Sequence, residues 1–240
     1  MKLVIDIGNT LAKLAVFEQD NIIDYLIEKE INDEKINLFI LKYEIKSVII
    51  SSVRGNETFK MLKKYKLLHF SSVTPVPFKN CYHTPETLGL DRVAGVVSAI
   101  QQFNNSNVLV IDMGTCITFD FITAKKEYLG GGISPGFEMR FKALHHFTGK
   151  LPLIEYDKTQ NNIIGKSTVS SIISGVYNGV KNEVEGTIQQ YISQYPDVKI
   201  IVTGGDKKRF DLEPKNRIFA DEFLVLKGLN EILNYNDKIK

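Results

Sequence analysis

Apolar and polar positions along the chain fall into two regimes. Short unbroken apolar runs, bounded by Gly, Asn, Asp or Pro, predict buried strands; longer stretches with apolar residues every three or four positions predict helices. Residues 3–28 read as a three-stranded meander, LVIDIG, LAKLAVFE and IIDYLIE. A helix is expected over 33–43, a buried strand over 47–53, an amphipathic helix from Asn56 to Tyr65 and a strand from Leu67 to Phe70. Residues 71–77, with two prolines, form an irregular link. Over 81–103 Thr84 is positioned to cap a helix with Pro85 at its first position, and Val93, Val96, Val97 and Ile100 keep helical spacing. The run Val108 to Phe121, VLVIDMGTCITFDF, reads as strand, tight turn and returning strand. Tyr128 to Gly136, YLGGGISPG, is a Gly-rich strand leading into a helix from Phe137 to His146, with an irregular connection over 149–163. Thr168 to Tyr195 is a long helix with apolar residues at Val169, Ile172, Ile173, Val176, Val180, Val184 and Ile188. A strand from Val198 to Val202, a short strand at Ile218-Phe219 and a closing helix from Asp221 to Asn234, capped by Asp221, complete the chain. This order predicts an α/β protein with mixed sheets and helices packed on them.

One device occurs twice. Leu3 to Phe17 and Val108 to Phe121 superimpose as strand, Asp-x-Gly turn and strand, pairing Asp6 with Asp112 and Gly8 with Gly114. A carboxylate at the end of a buried strand is costly unless it is paired, hydrogen-bonded or beside a metal. Gly lets the backbone approach a ligand and present its N–H groups. One such turn is adequately explained as an Asp cap. Two in matching context point to a pair that holds a metal-bound polyphosphate, carboxylates on the metal and N–H and hydroxyl groups on the phosphate oxygens. The repeat also divides the chain near residue 105 into two lobes of similar plan, 1–104 and 105–240.

Further candidates are weaker singly. Lys13 is either an exposed strand lysine or an ammonium turned back toward a phosphate. Asp91-Arg92 is either a surface pair worth little or an acid that takes a proton beside an Arg that clamps an anion; chemistry alone leaves these even. The glycines at 130–132 make sense where a ligand or another backbone lies close. Thr203-Gly204-Gly205-Asp206 is a third Gly turn at a strand end, where ligands of such sheets bind, though for this piece alone an ordinary strand-to-helix turn is the preferred reading. Gly165-Lys166-Ser167-Thr168 imitates the tail of a phosphate-binding Walker loop, but position 160 is Gln and no strand leads in, so that motif is rejected. Ser171, Gly175 and Gly179 fall four apart and make a flat helix stripe suited to a close neighbour, from this chain or a second copy.

Composition narrows the class. With 240 residues, 43% hydrophobic and 24% charged, the chain can bury a large core. A net charge of +2 gives no argument for nucleic acid or a membrane surface. No stretch reaches the ~18 apolar residues of a membrane span, and Asp6 interrupts the first apolar run, so no secretion signal is expected. Cys81 and Cys116 are isolated, which suits a reducing compartment. His69, His83, His145 and His146 lack metal-site spacing and read as surface or packing residues.

DIGNT at 6–10, LGLDR at 88–92, DMGTCIT at 112–118, GGGISPG at 130–136 and TGGD at 203–206, in this order and spacing, resemble type III pantothenate kinase. That family lies in the superfamily of acetate kinase, sugar kinases, Hsp70 and actin, and the resemblance runs nearly end to end. Leu90 stands where the family often has Ala, Met113 and Cys116 vary within the second turn, and the chain is slightly short. The resemblance implies two similar ribonuclease H-like lobes with mixed sheets, the actin-like ATPase fold, with ATP in the interlobe cleft. The implied reaction is ATP-dependent phosphorylation of pantothenate to 4'-phosphopantothenate, the first step toward coenzyme A. Asp6, Gly8, Asn9, Thr10, Lys13 and Thr115 would bind ATP, with Asp6 near Mg²⁺. Asp91 would be the general base. Tyr82, Gly89, Leu90, Asp91, Arg92 and Thr168 would hold pantothenate, and Asp112 a monovalent cation, K⁺ or ammonium. A cytoplasmic homodimer is implied. A related kinase acting on a sugar or short acid would share the Asp turns and differ at 82–92 and 165–168. A nucleotide-switch protein of the same fold would dispense with Asp91-Arg92.

Overall fold

The computed structural model describes residues 1–55, 59–156 and 162–239. They form two compact units, one of residues 1–105, 122–130 and 223–240, the other of 106–121 and 131–222.

The first unit opens with the expected meander: β1 (Lys2–Ile7), β2 (Ala12–Glu18) and β3 (Asn21–Glu28), paired antiparallel in sequence. β1 is buried on both faces because β2 and β4 (Ser47–Ser52) flank it, which explains its unbroken apolar run. β3 lies at the sheet edge and alternates exposed and half-buried positions. Helix α1 (Asp33–Lys42) starts where Asn32 accepts the Lys35 backbone N–H, and it buries Ile36 and Ile40 under the sheet. β5 (Lys66–His69) pairs parallel with β4. The helix expected over 56–65 is a 3₁₀ turn, Lys60–Lys64, in its described part; residues 56–58 lie outside the described residues. β6 (Lys79–Asn80) is short. The helix expected from Thr84 is two elements: a 3₁₀ turn at Pro85–Thr87 in which Thr84 makes no side-chain cap, then α2 (Leu90–Gln102) with Gly89 as its N-cap. Val93, Val96, Val97 and Ile100 are buried as the spacing required.

In the second unit β7 (Val108–Met113) and β8 (Cys116–Ile122) enclose the second Asp turn; β9 (Glu127–Pro135), which carries the glycine run, belongs to the first unit up to Gly130 and to the second from Gly131. α3 (Phe137–His146) and α4 (Thr168–Gln194) cover this sheet, with Ile172, Ile173, Val176, Val180, Val184 and Ile188 in its core. Val169, the first residue of the predicted apolar series, is 43% exposed. Ser167 and Ser170 cap each other at the start of α4, so the Lys166-Ser167-Thr168 run is a helix start, in agreement with its rejection as a phosphate loop. Of the irregular 149–163 connection, residues 157–161 lie outside the described residues. β10 (Lys199–Thr203) and β11 (Ile218–Ala220) run parallel to each other, and β10 runs parallel to β7.

The sheets repeat one plan. The first has the order β3-β2-β1-β4-β5, and the second contains β9-β8-β7-β10-β11 with β6 added beyond β9. The closing helix α5 (Leu224–Lys238) begins at Leu224, three residues after the expected start, with Phe223 rather than Asp221 at its cap position. It packs in the first unit against α2, where Gly228 lies so close to the Ala94 carbonyl that a Cβ would fall 1.8 Å from its oxygen.

Candidate active site

Three clusters of the sequence-derived candidates take shape, and each is described within its own unit. The first surrounds Asp6. Its carboxylate sits one residue before the end of β1, 8% exposed, opposite Lys13 on β2 and Ser51 on β4. The turn that follows spans Gly8 to Leu11 and is closed by the Gly8 N–H donating to the Leu11 carbonyl at 3.0 Å. Gly8 permits this closure, since a Cβ there would meet the Leu11 oxygen at 3.0 Å. Asn9 and Thr10 are exposed and Lys13 is half-buried. A residue that sequence reasoning passed over completes this cluster. Arg54, two positions beyond β4, donates from Nε to the Gly8 carbonyl at 2.9 Å and from Nη2 to the Asn9 carbonyl at 3.1 Å. A lone Arg after a strand carries no motif, so only the fold reveals its role.

The second cluster, in the other unit, surrounds Asp112. It too precedes the end of its strand by one residue, and its parallel partner is Thr203 on β10, as Ser51 is the partner of Asp6. The turn has only Gly114 and Thr115 between the strands, with the Gly114 N–H donating to the Cys116 carbonyl at 3.0 Å. Gly136 lies against it: a Cβ there would come within 2.2 Å of the Gly114 oxygen. Gly204 has φ +91°, and a Cβ on it would meet the Met113 carbonyl oxygen at 2.3 Å and Asp112 Oδ1 at 2.5 Å. The Thr203-Gly204-Gly205-Asp206 turn therefore owes its first Gly to this packing; the second has nothing within 4 Å. The Asp112 carboxylate and the Met113 carbonyl thus both pack directly against Gly204. Lys207 follows in the 3₁₀ turn Gly205–Arg209; burial pushes its ammonium below the usual lysine range, against the pull of Glu222, Asp221 and Asp112. Arg209 fastens this turn, donating to Asp206 Oδ1 at 2.7 Å with its guanidinium 5.2 Å from the Phe137 ring centre.

The third cluster, in the first unit, holds the LGLDR residues. Arg92 is 7% exposed, which rules out the surface-pair reading of Asp91-Arg92. Its guanidinium lies 5.8 Å from the Tyr82 ring centre. Asp91 stays half-buried in the first turn of α2, and Oδ1 accepts the Arg92 backbone N–H at 2.8 Å. Gly89 makes room for that carboxylate, because a Cβ there would stand 2.6 Å from Asp91 Oδ1. Leu90 is the first residue of the helix and is half-buried. Gly130, at φ +100°, packs under Tyr82, with a Cβ position 3.1 Å from the ring. Gly131 meets the Phe119 carbonyl, the close backbone that the sequence suggested, whereas Gly130 answers to an aromatic ring.

Thr168 is exposed at the start of α4 and opens on an apolar groove of about 960 Å³ between α3 and α4, lined among others by Leu144, Phe147, Ile172 and Val176. Gly175 also lines it, and a Cβ on Gly175 or Gly179 would meet nothing within 4 Å. The four histidines are exposed, and the described residues contain no cluster of three His, Cys, Asp or Glu placed to hold a metal. No described helix is long and apolar enough to cross a membrane.

The sequence model of the type III pantothenate kinase family matches residues 2–190. A type III pantothenate kinase of Bacteroides fragilis is 43% identical over 241 residues, covering 99% of this chain and 99% of that protein. Another, of Christiangramia forsetii, is 46% identical over 241 residues, covering 98% and 99%. Among solved structures, a ROK family glucokinase of Streptomyces griseus, in complex with glucose and AMPPNP, aligns with a TM-score of 0.52 at 12% identity over 96% of this chain and 98% of that one. That likeness is one of fold, the fold of sugar kinases and actin-like ATPases.

Proposed function

This chain belongs to the type III pantothenate kinase family, and on that premise we propose how its residues divide the transfer of a phosphoryl group from ATP to pantothenate. The enzyme phosphorylates pantothenate in coenzyme A biosynthesis. Phosphoryl transfer asks a protein mainly for alignment and charge neutralisation. The Gly8-Asn9-Thr10 turn supplies backbone donors to the ATP phosphates, and Lys13 supplies a positive charge from the strand opposite Asp6. Thr115, on the second turn, contributes a hydroxyl to ATP. Asp6 is the carboxylate for Mg²⁺, directly or through water; its buried place at a strand end fits a group that meets charge rather than solvent. A carboxylate suits a hard cation, and Asp112 is assigned a monovalent one, K⁺ or ammonium. When bound, these cations neutralise charge on the phosphates. Substituting Na⁺ for K⁺ should lower turnover, and equal rates in both would remove the second assignment.

Asp91 is the general base. It receives the proton of the pantothenate hydroxyl as that oxygen bonds to the γ-phosphorus and the bond to the β-phosphate oxygen breaks, releasing ADP. Arg92, with its fork beside Tyr82, receives the pantothenate carboxylate, and Gly89 and Leu90 line the same site; Thr168 is assigned a pantothenate contact on the family likeness. The observation that carries this reading is the seating of Asp91: its carboxylate is fixed by the Arg92 N–H in a space that only Gly89 leaves open. General-base removal costs about 10²–10⁴ in rate, so Asp91→Asn should lose that much kcat while ATP binding persists. A variant that turns over near the normal rate refutes the assignment.

The apolar groove between α3 and α4 and the uncovered Gly175 and Gly179 support a homodimer built on this face. Sedimentation of the intact 27.2 kDa chain should report twice that mass; a monomer at micromolar concentration counts against it. A cytoplasmic location accords with coenzyme A synthesis and is tested by fractionating cells.

A further inference from the structure

One side chain binds consecutive carbonyls of the phosphate turn. Arg54 donates to two consecutive carbonyls, those of Gly8 at 2.9 Å and Asn9 at 3.1 Å, and its Nη2 also reaches the Lys29 carbonyl at 3.5 Å. Its own placement is fixed: the Arg54 N–H donates to Ser52 Oγ at 3.1 Å, and the Val53 N–H donates to the Ile7 carbonyl at 3.0 Å. A trans peptide is planar, with C=O and N–H pointing in opposite directions. The Gly8 carbonyl shares its peptide with the Asn9 N–H, and the Asn9 carbonyl shares its peptide with the Thr10 N–H. Pinning both carbonyls on Arg54 therefore aims both N–H groups the other way. The guanidinium also polarises the two peptides it binds, which strengthens their opposite ends as donors. The first turn needs such a brace because Gly8 contributes little stiffness of its own and Asn9 and Thr10 are exposed.

We propose that Arg54 is a positioning residue for nucleotide binding: it holds the Gly8-Asn9-Thr10 turn from behind so that the Asn9 and Thr10 N–H groups face the phosphates of ATP. The inference rests on the reading of this turn as the phosphate site. It assigns Arg54 no contact with the substrate, and it predicts an effect confined to the phosphate part of the nucleotide.

The test is calorimetric binding of Mg²⁺–AMPPNP, adenosine and pantothenate to the intact chain, with KM and kcat measured alongside. Charge-assisted hydrogen bonds of this kind carry about tenfold in affinity, so Arg54→Ala should weaken AMPPNP binding and raise the KM for ATP by ~tenfold. Adenosine affinity and the KM for pantothenate should stay within about twofold, because neither ligand uses the turn's N–H groups. Arg54→Lys, which keeps the charge and loses the planar fork, should fall between Ala and the native chain. Unchanged AMPPNP affinity in Arg54→Ala overturns the proposal. So does a parallel loss for adenosine and pantothenate, the mark of a merely structural role. Should the Ala variant not fold, Arg54→Lys decides: native AMPPNP affinity, or equal loss for all three ligands, overturns it. Lys13→Ala runs as a control. If it also leaves AMPPNP binding intact, the phosphate-site reading itself has failed; if it weakens binding while Arg54→Ala does not, only the positioning role is lost.

Discussion

The two acidic turns start from one plan and are braced by different means. Asp6 and Asp112 each stand one residue before the end of a strand, each with a hydroxyl residue, Ser51 or Thr203, as parallel partner. Beyond that register they diverge. The first turn has four residues between its strands and is held by a side chain, Arg54. The second has two and is held by backbone, with Gly204 and Gly136 seated where a Cβ would strike its oxygens. A side-chain brace can be trimmed in steps. A backbone brace accepts no added carbon, so matching register does not bring matching tolerance to substitution.

The sharpest way to break this comparison is to change the residue that follows each parallel partner. Gly204→Ala forces a Cβ onto the Met113 and Asp112 oxygens at a positive φ; strain and clash together should cost about 3 kcal/mol or more in urea unfolding. At the matching place in the first unit, Ser52→Ala removes only a hydroxyl that accepts the Arg54 N–H, and should cost about 0.5–1 kcal/mol. Equal losses at the two positions would end the distinction.

A smaller effect sharpens it. Lys207, beside the second turn, carries an ammonium whose pKa burial lowers. The unfolded chain then holds more protons than the folded one between the lowered value and 10.5, so the stability associated with this residue rises with pH across that window. Lys207→Met should raise the melting temperature at neutral pH by about 1–2 °C, and the gain should shrink as pH approaches 10.5. A gain that grows with pH would contradict the assigned cause.

Much of this was legible in sequence because it rests on local pattern. The repeated Asp-x-Gly device marks both turns, and unbroken apolar runs mark β1 and β7 because strands covered on both faces lose their polar positions. The burial of Arg92 was not legible: an Asp-Arg step looks the same on a surface as under Tyr82. Helix starts were misjudged where a strong cap signal was overridden, as at Thr84, where a 3₁₀ turn intervenes before Gly89. The late start of α5 at Leu224 is the same kind of miss, since Asp221 is engaged in the chain reversal after β11 rather than in capping: its N–H donates to the Val202 carbonyl at 3.1 Å. Arg54 is invisible in sequence because its guanidinium binds carbonyls 25 to 46 residues away, and a carbonyl leaves no trace in the identity of the residue that bears it.

Helix α5 has a consequence for biosynthesis. Its residues follow every strand in sequence, yet they bury Leu224, Leu229, Ile232 and Leu233 in the unit that holds β1 to β5. During synthesis that sheet waits for α5 before α2 gains its packing layer, whereas the other unit has its described strands and helices once residue 222 is out. A nascent chain that stalls before α5 would thus present the second unit made and α2 uncovered, the species on which chaperones and proteases act.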